Sequence, residues 1–408
     1  MNYNTCTLEN GMRVIHLPST SQVVYCGIGV KAGTRHELPG EEGLAHFCEH
    51  MSFKGTAHRS AVQIINAIEG LGGELNAFTN KEDTIFYCAI LRNHFKKAVE
   101  VLCDIVFHST FPQEEVEKEH EVVCEEIESY EDSPAELIYD EFENILFKDH
   151  PLGHNILGTT EKVRSYTSAD AQRFTQRYYR PDNCVFFSSG DIDFSQLQKV
   201  LSKEATMYNE DQKTYETIQP HETLLASQEI ICHRETHQTH VMIGTRAYPA
   251  DDKRRWALYL LNNILGGPGL NSRLNLALRE RNGLVYSVES TMVCYSDTGL
   301  WSVYFGCDPK DTDRCRRLVR RELDRLMERP LSPQQLQNAK RQLQGQLAIA
   351  SDSREQFALD FAKNYLHSGK MRDLTDIMSH IDRLRAEDLQ QVAHDLFSEN
   401  RLTTLMFL

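Results

Sequence analysis

The stretch Gly43-Leu44-Ala45-His46-Phe47-Cys48-Glu49-His50-Met51-Ser52-Phe53 decides how the rest of the chain is read. Leu44, Phe47, Cys48 and Met51 recur at the spacing of an apolar helical stripe, which predicts a helix over 43–53. Residues four apart on a helix share a face. His46 and His50 are therefore set to hold one metal ion between them, on a face adjoining the stripe. Glu49 projects beside them, where its carboxylate reaches a water at that ion. A lone H-x-x-E-H also occurs on solvated helices, so this reading needs a further ligand from another element.

Working outward, Met12 to Leu17 follows the turn dipeptide Asn10-Gly11 and reads as a strand, as does the β-rich run Val23 to Val30. After the central helix, Ile64 to Leu71 reads as helical and closes at Gly72-Gly73. Leu75 to Leu91 is strand-like, with Ile85, Tyr87 and Ala89 alternating against Phe86, Cys88 and Ile90. Helical patterns fill 93–107, 113–130 and 134–147. Val185-Phe186-Phe187 reads as a strand ahead of Ser188-Ser189-Gly190-Asp191. Residues 203–228 are polar and weakly periodic.

The pattern then begins again: Glu229 to Ile231 and Val241 to Gly244 as strands, and Arg254 to Leu265 as a helix closed by Gly266-Gly267. Aligning the halves on their closing glycines puts Leu258, Leu261 and Asn262 opposite His46, Glu49 and His50. The expectation is an α+β chain of two homologous halves, each a mixed or antiparallel sheet with helices packed on it. The first domain is expected over 1–205 with the metal site, a linker over 206–228, and a metal-free second domain over 229–408.

The 408 residues are too many for one ordinary core. With 44 Lys plus Arg against 59 Asp plus Glu, the formal net charge of −15 argues against nucleic acid as a partner. The N-terminus lacks a basic segment followed by an apolar one, and no apolar run has the length of a membrane span. Eleven cysteines without a C-x-x-C pair suit reduced thiols, so a cytoplasmic location without membrane attachment is expected. No phosphate-cradling glycine loop occurs. Arg314 to Arg329 alternates its arginines with acids around a Leu/Val stripe and reads as a solvated helix face. Cys232-His233-Arg234-Glu235-Thr236-His237-Gln238-Thr239-His240 is a weaker metal candidate, because on a strand His237 and His240 point to opposite faces. His150 and His154 have ligand spacing, but Pro151 and Gly153 between them make a loop.

A catalytic zinc needs a third protein ligand. The segment Glu117 to Glu128 is a helix crowded with carboxylates, in which Val116, Val123 and Ile127 fit an inward stripe. Glu119 and Glu126, two turns apart beside that stripe, can look inward together. Spacing does not choose between them.

His46 to Thr56, H-F-x-E-H-M-x-F-K-G-T, resembles the pitrilysin-type, or inverzincin, zinc peptidases, which include insulysin and the mitochondrial processing peptidase. The resemblance covers nearly the whole chain and is nearest the shorter, processing-peptidase-like bacterial branch. It implies one Zn²⁺ held by His46, His50 and Glu126, with Glu49 as general base and Glu119 in an outer-shell role. Gly72 to Thr79 resembles the family's edge strand, which implies substrate backbone along Asn76, Ala77 and Phe78. Arg279 and Tyr286 match the family's pair that holds the substrate carbonyl. Cys48 stands where leucine is common in the family, a packing change only. The resemblance implies an endopeptidase for unfolded peptides working inside a clam-shell chamber. It also implies a homodimer in which Arg279 and Tyr286 serve the partner's zinc. The alternatives are a catalytically silent scaffold subunit of the same fold and the active subunit of a heterodimeric processing peptidase.

Overall fold

The computed structural model describes residues 3–206, 227–234, 236–371 and 373–408. Nearly all of the expected linker over 206–228 lies outside the described residues. In the first half, β1 (Asn4–Thr7), β2 (Arg13–Pro18) and β3 (Val23–Val30) lead into α1 (Leu44–Ser52) and α2 (Ala61–Ile68). Then come β4 (Glu74–Thr79), β5 (Thr84–Leu91), α3 (Phe95–Phe107), α4 (Gln113–Glu131) and α5 (Pro134–Leu146). The half ends with α6 (Thr160–Ser165), α7 (Ser168–Tyr178), β6 (Cys184–Gly190) and α8 (Phe194–Glu204). The single strand-like run expected from Leu75 to Leu91 is two strands, because Asn80 to Asp83 turns the chain back so that β4 pairs antiparallel with β5.

The second half repeats the plan. It opens with β7 (Glu229–Cys232), β8 (Thr239–Ala247) and α9 (Arg255–Gly266), followed by β9 (Val285–Cys294) and β10 (Gly299–Cys307). Helices α10 (Thr312–Glu328), α11 (Pro333–Ala350), α12 (Arg354–Ser368), α13 (Leu374–Arg383) and α14 (Ala386–Phe397) precede β11 (Thr403–Phe407).

One sheet has the strand order β1-β2-β6-β3-β5-β4 and the other β7-β11-β8-β10-β9. Apart from the extra β1, the two orders correspond strand for strand. In each, one pair is parallel (β2 with β6, β7 with β11) and the other pairs are antiparallel. Strand order, pairing direction and helix placement repeat together, so the fold is the α+β duplication read in the sequence. Counted from the first residue of α1 and α9, His46, Glu49 and His50 correspond to Ala257, Leu260 and Leu261, one residue earlier than the glycine alignment gave. All three are buried apolar residues.

The division into units departs from the contiguous halves expected. The described residues of 1–129, 154–220 and 351–372 form one unit, and those of 130–153, 221–350 and 373–408 the other. The corresponding helices α5 and α12 have changed places. The physical cause is that both faces of each sheet are apolar. In the first unit Val14, Ile28, Phe86 and Phe186 face one core. Ile15, Ile85, Val185 and Phe187 face the opposite side, where α12 covers them with Ala358, Phe361 and Leu366. In the second unit Met242, Leu300, Leu405 and Phe407 meet Leu137, Ile138 and Phe142 of α5 in the same manner. Sheets buried on both faces carry continuous apolar strands such as Cys184 to Phe187.

Candidate metal centre

Helix α1 starts at a turn that only glycine fits. Gly43 has φ +91°, and a Cβ there would lie 2.6 Å from the Leu157 carbonyl oxygen. With no side chain at that position to cap the helix, a carboxylate six residues upstream does so. Glu37 accepts from the Gly43 N–H at 3.0 Å and the Ala45 N–H at 2.7 Å. Its Oε2 also lies 2.8 Å from Nε2 of His154. Leu44, Phe47, Cys48 and Met51 are buried, and Cys48 Sγ lies 3.8 Å from the Ala171 carbonyl oxygen. The expected apolar stripe thus anchors the helix, and Cys48 is a packing residue.

On the adjoining face the two histidines converge, their rings 4.5 Å apart. Glu126 comes from α4, its Oε2 lying 3.5 Å from Nε2 of His50 and 3.8 Å from Nε2 of His46. A tetrahedral zinc with bonds of about 2.0–2.1 Å needs its ligand atoms about 3.3 Å apart. The three atoms therefore sit close to a ligand set before any ion is considered. The hydrogen bonds agree. Nδ1 of His50 lies 2.9 Å from Glu119 Oε1, so that nitrogen carries the proton and Nε2 turns its lone pair inward. Burial, with His50 as neighbour, brings the His46 pKa down to about 3 and keeps that imidazole neutral, the form that binds a metal. Burial also opposes charge on His50, but the Glu119 hydrogen bond and the carboxylates of Glu49 and Glu126 outweigh it and raise its pKa. These carboxylates attract a cation to the site, whether a proton or a metal ion.

Glu119 and Glu126 do not look inward together as expected. Glu119 is buried between His50 and Lys54, whose Nζ is 2.6 Å from Glu119 Oε2. Burial alone would raise its pKa, but the bonds from His50 and Lys54 lower it, so it stays ionised. The Glu126 side chain is 45% exposed. It closes the site from the solvent side, which leaves a route for water. Glu49 is buried, and Thr79 Oγ1 donates to its Oε2 at 2.6 Å. Burial raises the Glu49 pKa, and the Thr79 hydrogen bond offsets part of that rise.

Asn76, Ala77 and Phe78 lie on β4, which among the described residues is an edge of its sheet and pairs only with β5. In the other unit, Arg279 lies in a π-helical turn over Asn275–Glu280 and Tyr286 near the start of β9. The Arg279 guanidinium sits 5.6 Å from the Tyr286 ring centroid, and Tyr286 is 83% exposed. Among the described residues, the donors between His233 and His240 form no metal group, whereas His58, Asp104 and His108 do. Four residues at the site were not picked out from the sequence. Lys54 follows His50 by four and could have been found on that spacing. Thr79 ends the edge-strand stretch. Glu37 carried no local signal, and His154 stood out only by its spacing from His150, because loop geometry brings both to α1.

Residues 13–160 match the family model described as Insulinase (Peptidase family M16), and residues 165–343 match Peptidase M16 inactive domain. A Bacillus subtilis protein described as an uncharacterized zinc protease, YmxG, is 33% identical over 401 residues, covering 98% of this chain and 97% of that one. The chain belongs to peptidase family M16. A second M16 relative, from Streptomyces coelicolor and also described as an uncharacterized zinc protease, is 33% identical, with 96% of this chain and 86% of its own covered. The M16 fold is matched by a protease structure from Helicobacter pylori, with TM-score 0.93, 23% identity, and 100% and 99% coverage. A Pseudomonas fluorescens structure titled peptidase M16 inactive domain has TM-score 0.91, 20% identity, and 100% and 98% coverage. The inactive-domain match falls largely on the half whose α9 is apolar where α1 carries His46, Glu49 and His50. Among the described residues no helix is long and apolar enough to cross a membrane.

Proposed function

We propose that this chain is a zinc-dependent endopeptidase for unfolded peptides. The observation that carries the reading is the convergence of His46, His50 and Glu126 beside the buried carboxylate of Glu49. Those three residues would hold one zinc ion, which supplies Lewis-acid polarisation of the scissile carbonyl and of water. Glu49 takes the proton of the attacking water on its carboxylate and later delivers it to the leaving amine. Thr79 fixes one Glu49 oxygen and leaves the other for that transfer. Glu119 orients His50 through Nδ1 and is itself held by Lys54. The peptide lies extended along Asn76, Ala77 and Phe78, adding a strand to the free edge of β4.

Arg279 and Tyr286 provide donors for the oxyanion. Their exposure supports a role toward a group outside their own unit, and the reading places them at the zinc of a second copy in a homodimer. The eleven free cysteines support a cytoplasmic setting.

The test pairs metal analysis with digestion of an unfolded peptide library. The wild type is expected to carry zinc and cleave, and Glu49→Gln to carry zinc and cleave at least ~100-fold more slowly. Undiminished cleavage by metal-replete Glu49→Gln would remove the general-base role. A metal-replete wild type that cleaves nothing would favour the silent-scaffold alternative. Cleavage that appears only on adding an unlike subunit would favour the heterodimer.

A further inference from the structure

We propose that His58, Asp104 and His108 form a second site for a borderline transition-metal ion such as Zn²⁺, separate from the centre at His46 and His50. His58 lies in the loop after α1, Asp104 is on α3 and His108 directly follows it. Nδ1 of His58 is 2.7 Å from Asp104 Oδ1, and Nδ1 of His108 is 3.5 Å from the same oxygen. The two rings are edge-to-face with centroids 5.2 Å apart. All three donor atoms lie within 4.8 Å of one another. Two imidazoles and one carboxylate are a donor set suited to zinc and its neighbours in the transition series.

The hydrogen bonds around the cluster decide which atoms are available. Nε2 of His108 is 2.8 Å from the Thr206 carbonyl, an acceptor with no proton to give. That nitrogen therefore carries a proton. Nδ1 then faces Asp104 Oδ1. In the metal-free chain the two atoms are joined by a hydrogen bond, and a metal ion that takes both as ligands replaces it. A carbonyl fixing the tautomer of a ligating histidine from behind is the usual arrangement at metal sites.

The other oxygen of Asp104 is fully engaged. Oδ2 accepts from Thr56 Oγ1 at 2.7 Å and from Arg59 Nη1 at 2.5 Å. These bonds hold the carboxylate so that Oδ1 faces the imidazoles. They also share its negative charge, which makes the site weaker than the one at His46, His50 and Glu126. His58, with its side chain 50% exposed, gives the ion a path from solvent and can turn to adjust the ligand spacing. An ion here joins the loop that follows the catalytic helix to α3.

The proposal does not depend on peptidase activity, and its test reads metal uptake. Full-length protein is stripped with a chelator and titrated with Zn²⁺ against a competing chromophoric chelator. Wild type is expected to take up two equivalents, the second at least tenfold weaker. His46→Ala/His50→Ala is expected to keep only the weaker one, and adding His58→Ala and His108→Ala to abolish it. The His58 side chain is half exposed, so its substitution is expected to leave the fold intact, as circular dichroism would verify. Co²⁺ in the His46→Ala/His50→Ala chain gives a second readout, a visible d–d spectrum lost in the same variants. A single equivalent in the wild type would overturn the proposal and leave His108 as a hydrogen-bond partner of Asp104 only. So would a weaker equivalent that survives loss of both His58 and His108.

Discussion

The Glu37 carboxylate and the Ala45 amide are joined by a 2.7 Å hydrogen bond, one residue before His46. Because Glu37 also takes the Gly43 N–H, a side chain outside α1 satisfies two of the four amides that a helix start leaves unpaired. Glu37→Ala leaves both buried amides without a partner. The expected cost is about 1–3 kcal/mol in denaturant unfolding. Glu37→Gln, which keeps an acceptor oxygen, is expected to cost less. Equal midpoints for Glu37→Ala and wild type would contradict the capping role.

Glu119→Gln tests the chain from Lys54 through Glu119 to His50. The amide keeps the shape but loses the charge that orients the His50 Nδ1 proton. Zinc affinity is expected to fall about 10–100-fold, the usual effect of removing such a partner. Competition with a chelator measures it, and unchanged affinity would show Glu119 to be a passive neighbour.

Homodimeric pairing predicts complementation. Glu49→Gln chains and Tyr286→Phe chains are each expected to be slow. Mixed and allowed to exchange subunits, they form heterodimers with one intact combination of Glu49 and Tyr286 if the pair serves the partner's zinc. Activity should then rise after mixing. Activity that stays at the average of the two variants would place both residues in one chain's own site.

Asp104 predicts the acid limb of stability in chelator-treated protein. Burial would raise its pKa, but hydrogen bonds from His108, His58, Thr56 and Arg59 prevail and lower it. A carboxylate with a depressed folded pKa stabilises the fold at pH values above its unfolded pKa of about 3.9, and that contribution is lost as pH falls from there toward the folded value. Asp104→Asn is expected to be less stable near neutral pH and to show a shallower loss of stability below about pH 4. Parallel acid limbs for variant and wild type would refute the assignment.

The exchanged helix α12 predicts that its core residues stabilise the opposite half's sheet. Phe361 is buried against the face of the first unit's sheet that carries Ile15, Ile85, Val185 and Phe187. Phe361→Ala is expected to cost about 3–5 kcal/mol. Amide exchange should rise in β3 and β6, with which α12 packs. Protection lost only within the second unit would oppose this.

Local signals in the sequence reached the elements and the first candidate ligands. The 3.6-residue stripe of Leu44, Phe47, Cys48 and Met51 placed α1 and, with it, His46, Glu49 and His50 on one side. The repeated order of strands, helix and closing glycines gave the duplication, because each half must bury the same kind of sheet. Val116, Val123 and Ile127 placed α4, yet they could not rank its carboxylates. Glu119 and Glu126 occupy equivalent positions by periodicity, and the family resemblance, not their spacing, assigned them different roles.

Tertiary structure decided what depends on contacts between distant segments. It put Glu119 in the interior beside Lys54 and left Glu126 at the solvent side. It brought Thr79 to Glu49, and Glu37 with His154 to the start of α1. It also exchanged α5 and α12, because an apolar strand has two faces to cover and does not encode which helix covers the second. Periodicity specifies which way a side chain leaves its own helix or strand. What it then meets is set by packing, since hydrogen bonds and apolar contacts form wherever the folded chain brings their partners within reach.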